Sequence, residues 1–92
     1  MVRVTDKYYI DASSRCFVII EKVMDPETGK CSFCHRGYGE VLAEIVEAVK
    51  RVMLFDKIKN NEVLTLHDLY KADKDIHEYI NNQITGERKD NA

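Results

Sequence analysis

The stretch from Gly37 to Phe55, GYGEVLAEIVEAVKRVMLF, constrains the fold more than any other part of the chain, because apolar residues return in it at helical spacing. With Ile45 at zero and about 100° per residue, Tyr38, Val41, Leu42, Ala48, Val49, Val52, Met53 and Phe55 fall within an arc of roughly 180°. Glu40, Glu44, Glu47, Lys50 and Arg51 take the other side. So wide an arc predicts a helix that packs against two partners, a sheet on one flank and a second helix on the other. Asp56 would intrude on the apolar face, so the helix is expected to stop near Phe55, with Leu54 projecting through the charged side, either covered by the next loop or left as an exposed docking contact.

Upstream, the chain reads as β. Val2 and Val4 alternate with polar neighbours and Tyr8 to Ile10 is β-prone, which places one strand within residues 2 to 11 before the turn cluster Asp11–Ser14. The run RCFVIIEKVM is rich in β-branched and aromatic residues, apolar on both faces at its start and amphipathic further on, as befits a central strand. Asp25-Pro26-Glu27-Thr28-Gly29-Lys30 then predicts a chain reversal, with proline presetting φ and Gly29 accepting a positive φ in a type I turn with a bulge. Pairing the next strand, Cys31 to Arg36, back across this turn sets Met24 against Cys31, Lys22 against Phe33 and Ile20 against His35. Gly37 and Gly39 then let the chain bend into the helix.

Downstream, DKIKNNE is a polar connector. Thr65 and Asp68 fit an N-cap and its acidic partner three residues on, and Leu64 with Leu69 fits a hydrophobic staple. A second helix is expected from there to about Thr85, where Gly86 ends it, with Leu66, Leu69, Ala72, Ile76, Tyr79, Ile80 and Ile84 inward. The expected architecture is α+β, in the order β-β-β-α-α: an antiparallel meander of two or three strands packed against two α-helices. Residues 1–86 would form one domain and 87–92 a flexible tail.

Charge places the chain at neither electrostatic extreme. With 14 basic and 16 acidic residues, net −2 and interspersed, the chain has neither the basic excess of a general nucleic-acid binder nor the acidity of a DNA mimic. MVRVTDKYYI has no signal-peptide core and no segment reaches the ~20 apolar residues of a bilayer span, so a cytoplasmic protein with free thiols is expected.

The residues with chemical potential are few. Cys31-Ser32-Phe33-Cys34-His35 spells a haem-attachment string, but in a strand its cysteines face opposite ways. Adding Cys16 gives a possible zinc set of Cys16, Cys31, Cys34 and His35, which defines one alternative, a zinc-stabilised adaptor. His67 and His77 are about 15 Å apart along one helix and cannot share a metal, while Asp73 and His77 are helical i, i+4 partners. No nucleophile–base pair or phosphate-cradling loop is present, so no enzyme and no cofactor is expected. Arg15, Lys22, Lys30 and Arg36 on the sheet define a second alternative, weak nucleic-acid binding. Five tyrosines supply contact candidates, and the expected partner-binding residues are Tyr8, Tyr9, Leu54 and Tyr70. An exposed strand edge or surplus helix face also permits a homodimer.

The two-faced strand, the DPETGK turn, the strand ending in GYG, the EVLAEIVEAV helix and the TLHDL opening of a second helix together resemble small phage and prophage proteins of unknown function. The resemblance covers roughly residues 8 to 84. It implies a hairpin followed by two helices and a phage accessory role, in the host cytoplasm. The lack of catalytic signatures on a compact tyrosine-bearing scaffold adds the expectation of a protein-binding domain that binds or inhibits a host factor such as a defence nuclease.

Overall fold

In the computed structural model, which describes residues 1–86, the chain is α+β. The expected tail at 87–92 lies outside the described residues. Four strands, β1 (Val2–Arg3), β2 (Tyr8–Ala12), β3 (Phe17–Met24) and β4 (Cys31–Gly39), form one antiparallel sheet in sequence order. Two helices follow, α1 (Leu42–Lys59) and α2 (Leu66–Thr85). Contacts divide the chain within α1 into two compact units, Met1–Val49 and the part from Lys50 onward.

The first unit holds the sheet and the opening turns of α1. It has one strand more than the two or three expected, because the segment read as a single strand in residues 2 to 11 is broken by Thr5. The Thr5 hydroxyl accepts from the N–H groups of both Lys7 and Tyr8, at 3.0 Å each, and Val4 N–H donates to Tyr8 C=O at 2.9 Å. A side chain that satisfies backbone donors locally makes a turn cheaper than an extended chain, so Val2–Arg3 folds back onto β2. The hairpin between β3 and β4 has the expected register: Met24 faces Cys31, Lys22 faces Phe33 and Ile20 faces His35. Gly29 takes the positive φ expected of it, 72°, but its N–H donates to Asp25 C=O at 2.8 Å, four residues back and not the three of a type I turn.

β4 does not stop at Arg36. It continues through Gly39, and the pairs Ile20–His35 and Ile19–Gly37 leave one extra residue on β4, a bulge at Arg36. The bulge moves two glycines onto the row of Ile19 and Phe17, where space is short. A Cβ on Gly37 would lie 3.3 Å from Ile19 Cδ1, and one on Gly39 would lie 3.0 Å from the backbone N of Ile45. Gly39 is thus a close-approach residue that seats the start of α1 on the end of β4, not the hinge it is expected to be. The buried apolar side chains of this unit are Val4, Tyr8, Ile19, Ile20, Ile45 and Val49, with Ile19 and Ile45 at 0% exposure.

Helix α1 begins five residues later than Gly37 and ends four residues after Phe55. Its stop is an asparagine cap. Asn61 takes φ 60°, its N–H donates to Ile58 C=O at 3.1 Å, and Glu62 N–H donates to Lys57 C=O at 2.9 Å, the paired bonds of a Schellman closure. Asp56, half-buried, is accommodated inside the helix. The broad apolar arc is only partly covered: Ile45 and Val49 are buried, whereas Tyr38, Val41, Leu42 and Phe55 are all more than half exposed.

In the second unit the start of α2 is as expected. Thr65 has extended backbone angles and its hydroxyl accepts from Asp68 N–H at 3.1 Å, while Gly86 closes the helix at φ 76°. Leu64 is 75% exposed, however, so a staple with Leu69 covers little of it. The inward stripe is narrower than the sequence reading, with Ala72, Ile76 and Ile80 buried but Leu66, Tyr79 and Ile84 exposed.

Candidate protein-binding surface

The register sorts the sheet into two faces, because residues opposite one another across an antiparallel pair project the same way. One face carries Tyr8, Ile10, Ile19, Glu21 and Cys34. Here Tyr8 is 6% exposed and Ile19 fully buried, and the carboxylate of Glu21 is clamped between two cations. Lys7 Nζ lies 3.1 Å from one oxygen and the Arg36 guanidinium donates to the other. The Arg36 bulge brings that guanidinium to Glu21, whose side chain is only 12% exposed. Lys7 Nζ also stands 5.5 Å from the centre of the Tyr8 ring, so cation–π attraction adds to the clamp.

The other face carries Tyr9, Val18, Ile20, Lys22, Met24, Cys31, Phe33, His35 and Tyr38. Its middle is closed, with Ile20 buried in the row Tyr9–Ile20–His35. Toward the β4 edge it is open: Phe33 and Tyr38 of β4 are 53% and 77% exposed and Met24, at the end of β3, is 60% exposed, with Cys31 and His35 of β4 also exposed. Large apolar side chains gathered on one rim are the informative departure from ordinary surface composition, since singly scattered ones need no explanation. This strip is the candidate surface.

Sequence reasoning finds little of it. Tyr8 is interior and drops out as a contact residue; Tyr9 is half-buried, its hydroxyl donating to Asp6 C=O at 3.3 Å. Leu54 is half-buried and its neighbour Phe55 is the exposed one, at 53%, reversing the helical-wheel assignment. Tyr70 is 72% exposed on α2, four residues after the exposed Leu66. Phe33, Tyr38 and Met24 are absent from the contact residues expected from the sequence. The cross-turn register carries the signal for Phe33 and Met24, which it sets on one face, but Tyr38 reaches that face only through the bulge. Without the extra residue it would stand opposite Phe17.

The zinc set is not brought together. Cys31 pairs with Met24 on the exposed face and Cys34 with Glu21 on the other. Cys16 precedes Phe17 at the far end of β3, eight residues from Met24, or about 26 Å at ~3.3 Å per residue. Its thiol is 3.1 Å from the Ser13 hydroxyl within a turn. All three cysteines are free, and no group of three or more metal-ligating side chains occurs among the described residues. The basic residues of the nucleic-acid alternative are likewise divided: Lys22 is on the exposed face, whereas Arg36 is engaged by Glu21 on the opposite one. His77 and Asp73 do meet, at 3.5 Å along α2. Among the described residues no helix is long and apolar enough to cross a membrane.

Comparison of the chain with protein-family models, with curated protein sequences and with solved structures returned no match.

Proposed function

We propose that this is a non-enzymatic protein-binding domain, and that it acts through the exposed side of the β3–β4 pair, where Met24 of β3 and Phe33 and Tyr38 of β4 stand. The observation that supports the reading is the exposure of these three large side chains on one side of a rigid, hydrogen-bonded strand pair. Aromatic anchors held on a sheet lose little conformational freedom on binding, and their burial supplies most of the affinity of a small interface. The resemblance to phage and prophage proteins extends the proposal to an accessory role in which the partner is a host factor, such as a defence nuclease whose activity is blocked. Such a protein would work in the host cytoplasm.

The test is affinity capture from host lysate with the wild type and with a Met24→Glu/Tyr38→Glu variant, both checked by circular dichroism. A protein retained stoichiometrically by the wild type and lost by the folded variant supports the proposal. Equal capture by both, or no stoichiometric capture, contradicts it.

A further inference from the structure

β4 is an edge strand: among the described residues no strand lies beyond it. Its hydrogen-bonding phase follows from the turn. Asp25 N–H donates to Lys30 C=O at 2.8 Å, so the backbone groups of Lys30 point toward β3. Lys22 N–H donates to Lys7 C=O, away from β4, so its partner Phe33 belongs to a pair that does not hydrogen-bond across β3 and β4. Both observations give the same alternation. The N–H and C=O groups of Cys31, Phe33 and His35 therefore point outward from the sheet.

Natural edges are guarded by charge, proline, bulges or a covering element. Residues 31–35, CSFCH, carry no charged group other than a protonatable histidine and no proline, and all five are exposed. Lys30 precedes this segment, and the bulge at Arg36 ends it. The unguarded length is thus five residues with Phe33 at its centre, and it is symmetric in phase about Phe33.

We propose that the occupant of this edge is a second copy of the chain, with β4 pairing antiparallel to the partner's β4 about a two-fold axis at Phe33. Of the two-fold registers that the phase allows, only this one engages all three outward residues: Cys31 with the partner's His35, Phe33 with the partner's Phe33, and His35 with the partner's Cys31. Two backbone hydrogen bonds form at each of these pairs, and the like charges of Lys30 and the partner's Arg36, which fall opposite one another next, confine the pairing to the segment. Pairing stops at Arg36, where the strand bends and the guanidinium turns to Glu21. The two exposed strips then join on one side of a continuous sheet. This inference rests on backbone phase and holds whether or not the strip binds a host protein.

The register makes a distinctive prediction for cysteine chemistry. The native thiols do not face one another across the axis, but Ser32 and the partner's Cys34 form a pair without hydrogen bonds, with Cα atoms about 4.5 Å apart, close enough for a disulfide once Ser32 is replaced by cysteine. The experiment is sedimentation equilibrium of the wild type and Phe33→Lys in reducing buffer, with oxidised glutathione added to Ser32→Cys in a Cys16→Ser/Cys31→Ser background. The expected results are a wild-type mass of twice the 10.7 kDa chain, a 10.7 kDa species for Phe33→Lys with unchanged circular dichroism, and a covalent dimer joining the thiol introduced by Ser32→Cys to the partner's Cys34. A wild type that stays at 10.7 kDa up to millimolar concentration overturns the proposal. So does a dimer that folded Phe33→Lys leaves intact, or one that the introduced thiol fails to trap.

Discussion

At the residue scale, the two glycines of β4 separate two kinds of steric demand. Gly39 faces backbone, with the Ile45 nitrogen 3.0 Å from where a Cβ would stand, so a side chain there displaces the start of α1. Gly37 faces only the tip of Ile19, at 3.3 Å, which can shift by a small torsion. Gly39→Ala is therefore expected to destabilise by about 1–3 kcal/mol and Gly37→Ala by less than ~1 kcal/mol, measured by urea denaturation. Thr65→Ala removes the hydroxyl that accepts from Asp68 N–H and should cost about 1 kcal/mol, with Thr65→Ser restoring most of it.

Asp25 gives a pH prediction at the same scale. Its carboxylate accepts from Glu27 N–H at 2.9 Å, and this bond, helped by Thr28 against a smaller desolvation effect, holds the carboxyl below its ordinary range. A lowered folded-state value means that the unfolded chain binds the proton more readily. The contribution to stability is present above the unfolded-state value and is lost as pH falls through the folded one. Carboxyl NMR should find an Asp25 midpoint below about 3.9; a midpoint at or above that would show the turn bond to be absent in solution.

At the scale of elements, what is legible in the sequence is whatever a local signal specifies. Thr65, Asp68 and Gly86 mark the ends of α2, and the Pro26–Gly29 turn fixes the pairs Met24–Cys31, Lys22–Phe33 and Ile20–His35. What is not legible depends on signals that compete. Thr5 reads as an ordinary strand residue, yet its hydroxyl folds the first strand in two. Asp56 reads as a stop because it falls on an apolar face, whereas the actual stop is Asn61, which tolerates the left-handed conformation that closes the helix. The bulge at Arg36 is marked locally only by Gly37 after it, which reads equally as a bend toward the helix. It is held by an ion pair to Glu21, fifteen residues away, and the bulge decides which face receives Tyr38. Glu21→Ala leaves Lys7 and the Arg36 guanidinium without this carboxylate and should cost about 2 kcal/mol in a denaturant titration.

At the scale of the whole molecule, the helix whose apolar arc dominates the sequence has a smaller part than that arc suggests. Only Ile45 and Val49 are buried among its residues, beside Tyr8, Ile19 and Ile20 from the strands and Val4 from the turn after β1. The candidate surface is a property of the sheet as well: a bulge, a long edge strand and a row of large side chains left in solvent. None of these is visible as a motif, which is why the contact residues read from the sequence are mostly tyrosines chosen by type, while the structure singles out Met24, Phe33 and Tyr38 by position.

The central claim is that this strip is kept for a partner and contributes little to folding. It is tested most directly by the unfolding free energy of Tyr38→Glu measured beside Ile19→Ala, one on each face of the same sheet. The account predicts a change within about 0.5 kcal/mol for Tyr38→Glu and a loss of about 2–5 kcal/mol for Ile19→Ala. A loss of more than ~2 kcal/mol for Tyr38→Glu, as expected of a covered core position, would contradict it.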